Sequence, residues 1–244
     1  MLLAALAASA QQHQPGAGVN FYSKTAEIAA GQQMASQFRH DATPLGNAAA
    51  GDYVNRLGAA LAAQFPGGWA YQFEVVRENT DGTTLEPAAF PGGPIFISAE
   101  LIAAARNEAE FAAMLAHAMA HVAERHWTKN ATRFDIMQTG FAPPPPGAAV
   151  RVPLGMIEFQ RQFERQADYV AVNATAAAGY DPQGLASYLE RMQPMRRAEE
   201  GAFDPLPPRA ERVKAIRGAI AKLPARSYQL SDKFAAVQAL VAQH

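Results

Sequence analysis

Residues 107–126, NEAEFAAMLAHAMAHVAERH, constrain this chain more than any other stretch, because they specify one helix from end to end. Asn107 suits the N-cap, where a short side-chain oxygen accepts a free backbone N–H, and Glu110 stands at the capping-box position three residues on. Arg125, His126 and Lys129 put cations near the far end, where they suit the helix dipole. Phe111, Leu115 and Val122 can face a core. His117 and His121 are four residues apart, so they share a face about one turn apart and can reach a single metal ion. The pair alone is a weak signal, since an Ala-rich helix produces it by chance.

Zinc asks for a third protein ligand and leaves a fourth position for water or substrate. Glu164 is the candidate, within the run FERQADY on a second expected helix over residues 156–178. Glu164 and Asp168 are again i and i+4, so one face carries two carboxylates. One could ligate the metal, and the other could hydrogen-bond a ligand histidine and fix its tautomer. The competing reading is an exposed face, with Arg161 and Arg165 close enough for ordinary helical ion pairs. These residues alone do not separate the two.

The zinc-protease signature at the histidine spacing is H-E-x-x-H, in which the Glu acts as general base. Here position 118 is Ala, and a methyl group takes no proton. The stretch 107–126 nonetheless resembles the zinc metallopeptidases of the HtpX and CAAX prenyl protease type, which are gluzincins. RQFERQAD at 161–168 resembles the same family's R-x-x-E-x-x-A-D. PGG at 91–93, with the following strand PIFIS, resembles the segment that precedes the zinc helix and borders the substrate cleft. The similarity runs over about residues 22–217.

The resemblance implies an α+β fold: a mostly helical zincin-like peptidase domain with a small antiparallel sheet beside the zinc helix. It implies one Zn2+ held by His117, His121 and Glu164, with Asp168 supporting a ligand histidine. It places substrate along Gly92, Gly93 and the edge strand residues Ile95, Phe96 and Ile97. It implies an endopeptidase of envelope protein quality control, acting on unfolded or extended polypeptide.

Three positions depart from the family pattern. Ala118 stands where the general-base Glu belongs. Leu206 stands where a T-H-P-x-x-x-x-R run would carry a His towards the active site, although Pro207 and Arg212 match. Residues 86–89, EPAA, lack the usual N-A-F-like run. An engineered Glu-to-Ala change would explain the first departure but not the second. Two losses with all three ligands kept favour a natural pseudo-peptidase that binds extended peptides or a partner without cutting. On either reading, the chain as written is inactive.

Composition is compatible with this and excludes other classes. At 244 residues, 49% hydrophobic, with formal net charge -1, the chain fits one domain with a sizeable core and carries no nucleic-acid footprint. It has no cysteine, so neither a disulfide framework nor a Cys-type zinc site is available. Residues 1–10 form a short apolar run ending in Ala8-Ser9-Ala10, a cleavage-like pattern without a positive n-region. They read as the remnant of an export signal, with a single domain over 11–244 and a periplasmic or extracellular location. No run of 18 apolar residues exists, so no transmembrane span is expected.

Amphipathic helices are expected over 23–38 and 52–64, and strands over 71–76 and 95–98. A loop with four prolines at 143–146 should separate the two metal-bearing helices, as a stiff spacer or a PxxP-type site. A helix opening at Asp181-Pro182 follows, then helices over 209–221 and 232–242. His126 is expected to close its helix and point away from the metal. Trp69 and Trp127 are expected in the core or at its rim.

Overall fold

The computed structural model describes residues 16, 18–77, 86–140, 154–193, 205–228 and 233–243. The apolar N-terminal run and the proline loop lie outside them. Among the described residues the elements are α1 (Lys24–Asp41), β1 (Thr43–Pro44), α2 (Ala48–Ala62), β2 (Gln72–Arg77), β3 (Ala88–Ala89), β4 (Pro94–Ser98), α3 (Ala99–Ala104), α4 (Glu108–Ala123), α5 (His126–Gly140), α6 (Leu154–Ala177), α7 (Gln183–Met192), α8 (Arg209–Ile220) and α9 (Lys233–Ala242). No helix among them is long and apolar enough to cross a membrane.

Helix α4 is the centre of the molecule. Phe111, Leu115 and Met119 are fully buried, and the helix packs against α6, α7 and α2. Its cap forms as the residue types require. The Asn107 side chain accepts from Glu110 N at 2.9 Å, and Glu110 Oε2 accepts from Arg106 N at 2.8 Å. Glu110 also accepts from Ser187 Oγ at 2.9 Å and from the Arg191 guanidinium, which ties α7 to the start of α4. At α7 the start shifts by one residue from expectation: Pro182 is the N-cap, and Asp181 Oδ1 accepts from Gln183 N at 2.9 Å.

The sheet corrects two expectations. Its order is β1-β2-β4-β3, and it is mixed rather than antiparallel, because β2 and β4 run parallel with Phe73 opposite Ile95 and Val75 opposite Ile97. β4 is also not an edge strand. β3 pairs with it on the outer side, Ala88 opposite Phe96 and Ala89 opposite Ile95. Two alanines carry almost no strand signal, so β3 is silent in the sequence.

The β3–β4 connection is a tight turn closed by Gly93 N to Phe90 O at 3.3 Å. Pro91 takes its second position and Gly92, at φ 82°, its third, where a positive φ is required. α1 lies directly on this turn. A Cβ on Gly31 would come within 1.6 Å of Pro91 O, so only glycine allows the contact. Gly31→Ala should force the helix off the turn and cost about 1–3 kcal/mol, as overpacking does. An unchanged thermal midpoint in that variant would refute the close fit.

A segment ahead of α1 clasps the junction between α4 and α5. Gly16 N donates to Glu124 Oε2 at 3.1 Å, Asn20 Nδ2 to Thr128 Oγ1 at 2.8 Å, and Phe21 N to Thr132 Oγ1 at 2.9 Å. Arg125, the last residue before α5, has φ 59°, a left-handed conformation unusual for a side-chain-bearing residue. Its guanidinium donates to Tyr22 O at 2.7 Å and to Glu27 Oε2 at 2.6 Å, which holds it there. α5 was not expected, and residues 99–104 form a further unexpected short helix.

Candidate metal centre

The second half of α4 delivers His117 and His121 to one face, and the middle of α6 brings Glu164 opposite them. His117 Nε2 and His121 Nε2 are 3.1 Å apart. Glu164 Oε2 is 3.4 Å from the first and Glu164 Oε1 is 3.4 Å from the second. Two ligands on a tetrahedral zinc with bonds of about 2.0–2.1 Å stand roughly 3.3–3.4 Å apart. Each separation here is close to that, Glu164 turning a different oxygen to each histidine, and one donor atom from each of the three residues lies within 4.8 Å of the others. Among the described residues this is the group of histidines and carboxylates able to hold a metal.

The surroundings support the same use. His117 Nδ1 lies 3.0 Å from Asp168 Oδ1, one turn along α6 from Glu164. Burial pushes the His117 ring down, but its hydrogen bonds to Asp168 and Glu164 outweigh this and raise it to about 9. Burial dominates at His121 and lowers it to about 4. Two carboxylates and two imidazoles in one buried pocket form a donor set that calls for a cation.

Arg212 of α8 supplies one such charge beside the triangle. Fully buried, it forks onto Asp168, with Nε to Oδ2 at 2.6 Å and Nη2 to Oδ1 at 3.0 Å. Nη2 also lies 3.2 Å from Glu164 Oε2 and 3.3 Å from His117 Nε2. Burial alone would raise Asp168, but the Arg212 and His117 charges hold it below the usual carboxylate range. Glu164 is lowered too, with His121, His117 and Arg212 overcoming its burial.

A cleft of about 310 Å³ opens beside the triangle. His117, Ala118, His121 and Glu164 form its floor, Ala89, Phe90 and Pro91 one wall, and Trp127 and Phe163 another. The Ala118 methyl faces this space. Glu27 and Glu86 also line it, the former paired with Arg125 and the latter 3.7 Å from the Arg212 guanidinium. The sequence profile of peptidase family M48 matches residues 44–220, well over half of the chain.

The chain belongs to peptidase family M48. This is a family of zinc metallopeptidases, and the mostly helical α+β domain is consistent with it. Its curated relatives include a beta-barrel assembly-enhancing protease of Escherichia coli O157:H7, 26% identical over 184 residues, covering 68% of this chain and 37% of that protein. A protein of the same name from Yersinia pestis is also 26% identical over 184 residues, with the same coverage. A mitochondrial metalloendopeptidase of Arabidopsis thaliana is 28% identical over 108 residues, covering 42% of this chain and 22% of that protein. The chain thus spans well under half the length of these relatives.

The structure does not bring every expected M48 position to the cleft. Gly92 and Gly93 are buried in the β3–β4 turn and Ile95, Phe96 and Ile97 in the sheet, and the wall is made by Ala89 of β3 with Phe90 and Pro91 of the turn. Leu206 is half-buried in the loop before α8, and the side chain that reaches the ligands from this end of the fold is that of Arg212.

His126 corrects another expectation. It turns inward, buried, with Nδ1 3.1 Å from His121 Nδ1 and Nε2 3.0 Å from Gln166 Oε1. On an unbroken helix, five residues would carry it about 140° round from His121. The left-handed Arg125 breaks the helix and reverses that. A histidine so close after a ligand pair was the one available signal.

Proposed function

We propose that this chain is a zinc-holding member of the M48 family that engages extended polypeptide in an envelope protein quality-control setting and, with Ala118 in the base position, does not cut it. The observation that carries this reading is the ligand triangle beside a methyl group. His117, His121 and Glu164 would hold one Zn2+, and Asp168 would orient His117 through its Nδ1. When bound, zinc would polarise a carbonyl oxygen as a Lewis acid. The chain's own residues supply the rest. Asp168 and Arg212 fix the His117 ring, and the apolar wall at Phe90, Phe163 and Trp127 accepts side chains.

Proton transfer is the missing function. A family general base takes the proton of the attacking water and returns it to the leaving amine, and no atom of Ala118 can do either. The two other carboxylates in the cleft are engaged by Arg125 and lie against Arg212. The exported location and polypeptide partner rest on the names of the relatives and on the apolar N-terminal run. The exposed edge available to an extended peptide is β3, only two residues long, so backbone pairing there would be short and tolerant of sequence.

Metal analysis of the full chain purified without chelator should find about one zinc per chain, and EDTA should lower its thermal midpoint. No zinc, together with an unchanged midpoint in EDTA, would overturn the metal reading. A fluorescent unfolded peptide should bind weakly and remain intact. Zinc-dependent cleavage at a rate typical of the family would overturn the inactive reading.

A further inference from the structure

Behind the ligand triangle runs a line of hydrogen bonds that its ligand set does not require. Gln166 Nε2 donates to Glu124 Oε2 at 2.8 Å, which fixes the orientation of the amide. Its carbonyl Oε1 therefore faces His126 Nε2 at 3.0 Å. A carbonyl oxygen only accepts, so this nitrogen carries the hydrogen. A neutral imidazole has one N–H, so with the hydrogen on Nε2 the His126 Nδ1 is bare. That bare nitrogen is 3.1 Å from His121 Nδ1, which must then donate. A histidine binds a metal as the neutral ring, which has one N–H, so with that hydrogen on Nδ1 the His121 Nε2 presents a lone pair to the triangle.

Left alone, His121 would favour the opposite arrangement. Glu164 Oε1 lies 3.4 Å from His121 Nε2 and would attract a hydrogen onto it, the tautomer that cannot bind a metal. Phe163 reinforces the ordering by stacking on His126, with ring centroids 4.4 Å apart and planes 20° from parallel. Glu124, where the line ends, is fully buried and accepts a second hydrogen bond from Gly16 N at 3.1 Å.

We propose that His126 and Gln166 are positioning residues that fix the tautomer of His121, keeping its Nε2 free for the metal through the sequence Glu124, Gln166, His126, His121. This rests on the metal reading given above. Supporting groups of this kind typically change metal affinity by about 10- to 100-fold.

The test uses the full chain. Nitrogen-detected NMR of the metal-free protein should show His121 protonated at Nδ1. Zinc affinity is then measured by competition with a chromophoric chelator for four proteins. His126→Phe keeps the stack on Phe163 but removes the acceptor, and should weaken zinc by about 10- to 100-fold. His126→Asn returns an acceptor oxygen near the Nδ1 position and should restore most of the affinity. Gln166→Met should weaken binding by less than His126→Phe.

His121 protonated at Nε2 in the metal-free chain would overturn the proposal. So would a folded His126→Phe protein that binds zinc as tightly as the parent. If His126→Phe does not fold, an unchanged affinity in Gln166→Met overturns the proposal, and a weakened one supports it. Should the unsubstituted chain bind no zinc, the metal reading fails on its own, while the NMR signal still decides the tautomer.

Discussion

Ala118→Glu is expected to give the chain zinc-dependent peptidase activity. Position 118 adjoins the ligand His117 on α4, and its methyl faces a cleft of about 310 Å³, so a longer side chain has room to reach the reacting water. General acid–base catalysis is worth about 10²- to 10⁴-fold, and this is the gain expected in cleavage of casein, abolished by chelator. If the substituted chain binds zinc and still does not cut, Leu206 becomes the suspect, and Ala118→Glu with Leu206→His is the next arm. Casein cleavage by the unsubstituted chain at the substituted chain's rate would show that another group serves as base.

Arg212→Met should produce the largest loss of stability available from a single residue near the site. The guanidinium is fully buried and balances Asp168 and Glu164. Removing one partner of a buried ion pair leaves uncompensated charge and costs about 3–5 kcal/mol. For a domain of this size, that lowers the thermal midpoint by on the order of 10 °C. Zinc should recover part of the loss, because a divalent cation restores positive charge beside Glu164. Arg212→Lys should fall between, since an ammonium keeps the charge but not the two-pronged geometry. A midpoint within about 2 °C of the parent for Arg212→Met, which corresponds to under roughly 1 kcal/mol, would refute this account.

The central helix was legible because its signals are local. Asn107, Glu110, the apolar face and the four-residue histidine spacing all lie within one helix and need no tertiary information. Glu164 was not legible in the same way, because a carboxylate between Arg161 and Arg165 reads equally as part of an ion-paired surface. In the structure Arg165 instead reaches Glu158, and Glu164 faces inward. Only the wider resemblance weighted the sequence reading towards a ligand.

The misses share a different cause. β3 consists of two alanines, whose pairing is set by the turn at Pro91-Gly92 and not by strand propensity. The parallel relation of β2 and β4 depends on how the chain crosses between them, which alternation within each strand does not encode. His126 was misplaced because a helix break at a non-glycine residue gives no sequence signal. The break is held from outside, by Glu27 and the Tyr22 carbonyl.

That external clasp has a practical consequence. The family profile matches from residue 44, yet the groups that hold the floor of the cleft include Gly16, Tyr22 and Glu27. A recombinant fragment trimmed to the family's limits would leave Arg125 without its two partners and Glu124 without the Gly16 contact. The Pro91 turn would also lose the helix seated on it. The limit of the profile match is therefore not the limit of the cooperative unit, and a fragment cut at that boundary would report on a different, looser site than the one the whole chain builds.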